Sequence, residues 1–144
     1  MNREPELERL VRFFETISPR TVRAQLALVY AADACFKDPF NEVRGVAAIG
    51  AIFEHMFEQV DAPRFVVTTH VLQGPQAFLT WEFLFEMKRF SKETQTIVGA
   101  TQIIFDADGK LAVHRDYWDA AEELYEKLPL IGSLMRWLKR AANK

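Results

Sequence analysis

Two aspartates and one histidine are the side chains of this sequence best suited to move a proton. Asp38 lies between Phe36 and Phe40 and directly precedes a proline, which biases the aspartate towards extended geometry. His114 and Asp116 are separated by one residue, so on a strand their side chains share a face. A carboxylate in apolar surroundings needs hydrogen bonds or takes up a proton more readily. If the fold brings both segments together, the three residues form an acid–base site.

Each of these residues also has a structural interpretation. Asp38 would hold the start of a strand by accepting backbone N–H bonds, and His114 and Asp116 would belong to a polar network that satisfies itself. The trio has oxygen and nitrogen atoms that metals accept, but it shows no tight ligand spacing. We therefore predict neither a metal site nor a cofactor.

Apolar residues recur at helical spacing in the first sixty positions and predict three helices. The first covers 5–17, with a proline in its opening turn. The second begins after Ser18 as a cap, and the third runs from Val46 to about Gln59, where Asp61-Ala62-Pro63 ends it. Their inward faces include Phe14, Tyr30, Phe53 and Met56.

From Arg64 onwards the pattern changes to β-strands. We expect strands at 65–72, 77–90, about 95–105 and 110–118, with a hairpin turn over 106–109. Trp81, Phe83 and Phe85 share one face, either as walls for a flat apolar ligand or as core. The opposite face has a mixed character that suits water or a wet interface, and it carries Thr80, Glu82, Leu84 and Glu86. Helices followed by a strand meander indicate an α+β fold.

Bulk properties narrow the class of protein. The chain has the length of a single domain, 1–144, with a helical extension over 119–144. Its net charge of −2 gives no indication of nucleic acid binding. Cys35 is the only cysteine, which excludes an internal disulfide and fits a reducing compartment. No segment has the length and apolarity of a membrane span, so we expect a cytoplasmic protein.

The last segment contains an apolar stripe, with basic residues towards its end. The apolar positions are Leu130, Ile131, Leu134, Met135 and Leu138, and the basic ones are Arg136, Lys139, Arg140 and Lys144. Three interpretations are open: a lid on a pocket, a surface for a dimer partner, or a helix lying on a membrane. Because a helix dipole alone favours basic residues at the C-terminus, we prefer packing on the body or on a partner.

Several segments together resemble the nuclear-transport-factor-2-like superfamily, which includes steroid Δ-isomerases, SnoaL-like polyketide cyclases and scytalone dehydratases. The resemblance covers about residues 5–119 and is carried by the segments 30–34, 38–39, 45–49, 106–111 and 114–119. It implies a cone-shaped, curved antiparallel sheet wrapped around three N-terminal helices. It also implies a pocket between sheet and helices, and a homodimer formed through the outer sheet face.

The resemblance to the steroid isomerases is partial. Asp38 matches their general base. The positions of their two oxyanion donors look like Phe14 and Thr101. A phenylalanine cannot donate a hydrogen bond, and a threonine hydroxyl is a poor substitute for a protonated acid. The chain therefore resembles these enzymes in the base and differs in the electrophilic machinery, which argues against steroid isomerisation by that mechanism.

These observations predict a protein that binds a small apolar molecule, cyclic or carbonyl-bearing, in an aromatic cavity. Asp38 would be the base and His114 an acid or an orienting group beside Asp116, for isomerase, cyclase or dehydratase chemistry. The residues expected to line the cavity are Phe14, Tyr30, Phe53, Met56, Trp81, Phe83, Phe85, Thr101 and Trp118. The alternatives are a non-catalytic ligand-binding or dimerisation module and, as a third hypothesis, a trafficking protein.

Overall fold

The computed structural model describes residues 2–89, 92–123 and 131–143. Predictions that concern Phe90, Ser91, Pro129, Leu130 and Lys144 lie outside these residues. The helices are α1 (Glu4–Thr16), α2 (Val22–Val29), α3 (Val46–Gln59), α4 (Ala120–Glu123) and α5 (Ile131–Ala142). The strands are β1 (Tyr30–Lys37), β2 (Glu42–Arg44), β3 (Val60–Gln73), β4 (Gln76–Met87), β5 (Thr94–Phe105) and β6 (Leu111–Tyr117).

The three N-terminal helices form where the apolar spacing predicts them, with two differences. Tyr30, predicted on the inward face of the second helix, is instead the first residue of β1. Helix α2 begins at Val22, and Ser18 does not cap it. The Ser18 hydroxyl lies 2.9 Å from the Thr21 hydroxyl, while the backbone carbonyl of Ser18 accepts the N–H groups of Thr21 and Val22. The residues after Ser18 therefore form a turn before the helix starts.

The six strands form one curved sheet in the order β2-β1-β6-β5-β4-β3. Four of its five neighbouring pairs are antiparallel, but β1 runs parallel to β6. The sheet is therefore mixed, whereas the sequence predicted an antiparallel one. A parallel pair needs a long connection, and here the connection contains α3 and most of the meander.

Strand β3 begins earlier than the sequence predicted. The segment Asp61-Ala62-Pro63, which the sequence predicts to end α3, lies within the strand. The register between β3 and β4 shifts between Asp61 and Arg64, and Ala62 has a φ of 48°. A bulge of this kind lets a strand accept a proline, which cannot donate to the ladder.

The concave face of the sheet covers α1 and α3, and the core lies between them. Apolar side chains from α1 (Leu7, Leu10), α3 (Ile49) and β5 (Ile103) are fully buried there. Arg3 ties the start of α1 to the hairpin after β5, because its guanidinium donates to the carbonyl oxygens of residues 106 and 107. The predicted α+β cone, with a helix at the C-terminal end, is confirmed.

The apolar side chains of α5 whose burial the structure describes lie at the surface. Leu134, Trp137 and Leu138 are exposed, and Lys139 pairs with Glu122 of α4 at 3.6 Å. Packing of this helix on the body or on a partner stays a prediction. None of the helices in the described ranges is long and apolar enough to cross a membrane.

Candidate functional site

A cavity of about 560 Å³ opens between the sheet and the helices. Its walls are largely apolar and aromatic, and its two carboxylates lie at the ends of β1 and β6. Such a volume suits a small organic ligand. Of the residues that the sequence predicted for the site, the cavity is lined by Phe14, Asp38, Phe53, Met56, Trp81, Phe83, Phe85, Thr101, His114, Asp116 and Trp118.

A row of hydrogen bonds crosses the wall of the cavity. The Trp81 Nε1–H group donates to Thr101 Oγ1 at 2.7 Å, and the Thr101 hydroxyl donates to Asp116 Oδ1 at 2.6 Å. The same oxygen lies 2.7 Å from His114 Nε2. The row ends at the Tyr30 hydroxyl, 2.6 Å from His114 Nδ1.

The direction of these bonds follows from the chemistry of the first donor. An indole nitrogen can only donate a hydrogen bond, so the Thr101 hydroxyl accepts from Trp81 and donates its own hydrogen to Asp116. A carboxylate oxygen that already accepts one bond accepts the second from the Nε2–H group of His114. In the neutral ring, Nδ1 is then an acceptor for the Tyr30 hydroxyl. Burial, together with the charge of Asp116, raises the pKa of Tyr30 well above its ordinary value, which keeps the hydroxyl a donor.

His114 and Asp116 therefore differ in what they can do. Both ring nitrogens of His114 are bonded to protein, and its side chain is only 4% exposed. The Asp116 side chain is 19% exposed and lines the cavity. Within the described residues, no hydrogen bond reaches its Oδ2 atom. The carboxylate can contact a ligand, and the histidine is suited to orienting it.

Asp38 is held by its own loop. Its Oδ1 atom accepts the backbone N–H groups of Phe40 at 2.8 Å and Asn41 at 2.7 Å, and the Asn41 side chain donates to both carboxylate oxygens. This is the backbone-holding role that the sequence left open for Asp38. The carboxylate nevertheless lines the cavity, and from the residues that the structure describes its Oδ2 accepts a single long bond of 3.2 Å.

The pairing of β1 with β6 brings the two aspartates together. Phe36 is in register with His114, and the last pair joins Lys37 to Arg115. Asp38 directly follows this last pair on the β1 side and Asp116 follows it on the β6 side, and neighbouring strands lie about 5 Å apart. The structure thus brings Asp38, His114 and Asp116 to one part of the cavity wall.

Tyr30 does not line the cavity. It is 1% exposed and lies behind His114, with the two rings stacked at 5.9 Å between centroids. As the first residue of β1, it is carried into the core by the same pairing that places Phe36 beside His114. Its role is to bond the histidine.

The two positions that resemble oxyanion donors offer none to a ligand. Phe14 packs against the His114 ring at 5.4 Å between centroids. Thr101 lines the cavity, but its single proton is directed at Asp116. Oxyanion stabilisation from these positions is therefore absent.

The cavity-lining residues that sequence reasoning missed include Phe36, Phe40, Asn41 and Phe65. Phe65 stacks on Phe83 at 4.5 Å between ring centroids. For Asn41 a signal exists, because an asparagine three residues after an aspartate is typical of a side-chain-stabilised turn. In the described residues, no group of three or more histidine, cysteine or acidic side chains is arranged to hold a metal ion.

The fold and its cavity define an α+β protein of the nuclear-transport-factor-2-like superfamily. More particularly, the SnoaL-like domain family matches residues 10–114, and the chain belongs to that family. No curated protein sequence is similar enough to count as a match.

Solved structures with this fold share little sequence with the chain. A protein of unknown function from Burkholderia pseudomallei, described as ntf2-like, has 14% identity and a TM-score of 0.71, over 85% of this chain and 94% of that one. TsrD from Streptomyces laurentii has 16% identity and a TM-score of 0.67, over 86% and 92%. An LEH-like epoxide hydrolase from M. tuberculosis has 15% identity and a TM-score of 0.64, over 84% and 85%. At these identities the similarity shows the fold alone.

Proposed function

We propose that this protein binds a small apolar molecule in the cavity and that Asp116 exchanges a proton with it. The observation that carries the proposal is the state of the Asp116 carboxylate. One oxygen is held by Thr101 and His114, and the other has no hydrogen bond from the described residues. The reaction class is that of an isomerase, cyclase or dehydratase.

A proton acceptor works best when its lone pair is already aimed at the substrate. The two bonds to Oδ1 restrain the carboxylate and leave Oδ2 without a hydrogen bond from the described residues. His114 is in turn restrained by Tyr30. This arrangement, with a base oriented by a second group and that group oriented by a third, is typical of acid–base sites.

Asp38, which the sequence predicted as the base, becomes the second carboxylate of the site. Its carboxylate accepts four hydrogen bonds from the described residues, of which three fall on Oδ1, and all come from the loop that follows. The free side of Oδ2 is available to bind a ligand group next to Asp116. We assign proton transfer to Asp116 and ligand positioning to Asp38.

The test compares D116N, D38N and D33N, where Asp33 is an exposed residue of β1 and serves as the matched control. Compounds that raise the thermal midpoint are incubated with each protein and analysed by mass spectrometry for conversion. We expect D33N to behave as wild type and D116N to bind but lose about 10²–10⁴-fold in turnover. Equal turnover by D116N and wild type would refute the role of Asp116.

A second candidate function is ligand binding without catalysis. It is favoured by the way Asp38 is satisfied within its own turn, because a carboxylate so bonded needs no chemistry to explain it. In that case, wild-type protein would bind its ligand and return it unchanged, and D116N would alter affinity alone.

We also infer a homodimer formed through the outer face of the sheet. That face exposes Val71 and Phe78, which are paired across β3 and β4, together with Val98 and Tyr117 on β5 and β6. Exposed apolar groups that lie together on adjacent strands favour a partner surface. The polar neighbours Thr80 and Glu82 suit the rim of such an interface.

A further inference from the structure

We propose that the ligand is an apolar cation, such as a tertiary or quaternary amine. The inference depends on the proposed function for the location of the ligand site, but it does not depend on catalysis. The charged side chains among the described residues that line the cavity are Asp38 and Asp116, and no lysine or arginine is among them. The histidines are His55, which is exposed, and His114.

The basic residues nearest to the two carboxylates point away from the cavity. Lys37 and Arg115 are the last pair of the β1–β6 ladder, and alternation puts both on the outer face. Lys37 lies 3.8 Å from Glu42, and Arg115 stacks over the Tyr117 ring at 4.7 Å. Neither guanidinium nor ammonium group compensates the charge within the cavity.

His114 does not remove this excess of negative charge. In its neutral form it leaves both carboxylates uncompensated. If it takes a proton, it cancels the charge of Asp116 and still leaves Asp38. Two carboxylates that line one largely apolar cavity repel each other, and a cation bound in that cavity relieves the repulsion.

The aromatic walls suit the same ligand. Phe40 and Trp118 meet edge to face at 5.6 Å beside Asp38, and Phe65 and Trp81 do so at 5.7 Å deeper in the cavity. The faces of such rings attract ammonium groups, most strongly where water is excluded. The apolar walls would hold the alkyl or aryl substituents of the amine.

Three donors that belong to the hydrogen-bond networks of the two carboxylates support the same ligand. Gln59 and His55 also line the cavity, but from α3. The Trp81 N–H group donates to Thr101, the Thr101 hydroxyl donates to Asp116, and the side-chain amide of Asn41 donates to Asp38. A ligand that presents an oxyanion or a strongly polarised carbonyl would find these donors already engaged. A cation instead meets free acceptor capacity on both aspartates.

The experiment compares benzyltrimethylammonium with neopentylbenzene, its neutral isostere, by ligand-observed NMR titration. We expect the cation to bind about tenfold or more tightly, since the two probes differ chiefly in charge. The preference should fall in D38N and in D116N, remain in D33N, and decrease as salt is raised. Circular dichroism of each variant shows that the fold is retained.

The outcomes separate this inference from the proposed function. Equal or tighter binding of neopentylbenzene overturns the cation inference and leaves the cavity as an apolar ligand site. A cation preference that is unchanged in D38N and D116N also overturns it. Binding of neither probe counts against both proposals. If D116N loses turnover and wild type shows no preference for the cation, the catalytic role of Asp116 is supported and the amine ligand is rejected.

Discussion

The Nε2 atom of His114 lies 2.7 Å from Oδ1 of Asp116, and this bond gives the two residues different roles: the histidine orients the carboxylate, and the carboxylate can contact a ligand. The histidine is buried among aromatic rings, with Phe36 at 4.7 Å and Phe14 at 5.4 Å between centroids. The aspartate reaches the cavity. The imidazole ring is bonded to Tyr30 through Nδ1 and to Asp116 through Nε2. Because both nitrogens are held, the ring fixes the orientation of the carboxylate that a ligand would contact.

Replacing the buried tyrosine should destabilise the protein through its histidine partner. In Y30F, the Nδ1 atom of His114 loses its hydrogen bond and stays buried. We expect the free energy of unfolding to fall by about 1–3 kcal/mol in urea denaturation, the usual cost of an unsatisfied buried polar atom. Y117F removes an exposed hydroxyl and should change stability by less than about 0.5 kcal/mol. Equal effects of the two substitutions would contradict the inferred bond.

Alkaline pH should destabilise the protein through Tyr30. Burial raises the pKa of this hydroxyl, so above about pH 10 the unfolded chain releases the proton while the folded chain keeps it. The unfolded state then binds fewer protons, and stability, complete below that pH, falls by about 1.4 kcal/mol per pH unit. Urea denaturation between pH 9 and 11, a range that brackets the ordinary pKa of tyrosine, should show this extra slope in wild type and not in Y30F. Parallel pH profiles would refute it.

The indole ring of Trp81 occupies space that a glycine on the neighbouring strand leaves free. Gly99 is paired with Trp81, and a methyl group added there would lie 2.5 Å from the indole ring. G99A should push the ring away from Thr101 and lower the free energy of unfolding by about 1–3 kcal/mol. In a W81F background the smaller ring should reduce that cost, which a double-mutant cycle measures. Additive effects would show that the two residues do not contact.

The outer sheet face should control association. Light scattering of wild type at micromolar concentration should give the mass of a dimer, and F78E should give that of a monomer, because a charge would be buried without a partner. L28E is the control, since Leu28 is exposed on α2 and not on the sheet. A wild-type monomer, or dissociation in L28E alone, would exclude this interface.

Local patterns were enough to predict most of the elements that position the site. The spacing of apolar residues predicts α1 and α3, and the alternation around Trp81 predicts which residues of β4 face inward. The hairpin over 106–109 follows from turn chemistry, with Asp106 bonding the backbone of residues 108 and 110. These features depend on neighbours within a few residues, which is the range that a sequence pattern records.

Contacts between distant segments were beyond such patterns. Tyr30 was expected in the cavity wall, and it bonds instead to a histidine 84 positions away. The parallel pairing of β1 with β6 was not foreseen, and neither was the position of Phe36 beside His114. Either strand direction would bury the same apolar side chains, so the pattern of hydrophobicity alone does not choose between them.

The sequence by itself determined the family, the α+β architecture and the three residues most capable of acid–base chemistry. Their residue types and two-residue spacing are local properties of the chain. Only the tertiary structure decided that Asp116 faces the cavity, that His114 is occupied on both nitrogens and that Asp38 is tied to its own turn. The physical reason is that hydrogen-bond direction and burial depend on which groups meet in space. Here the donor-only indole of Trp81 sets that direction from a strand 35 residues before Asp116 in the chain.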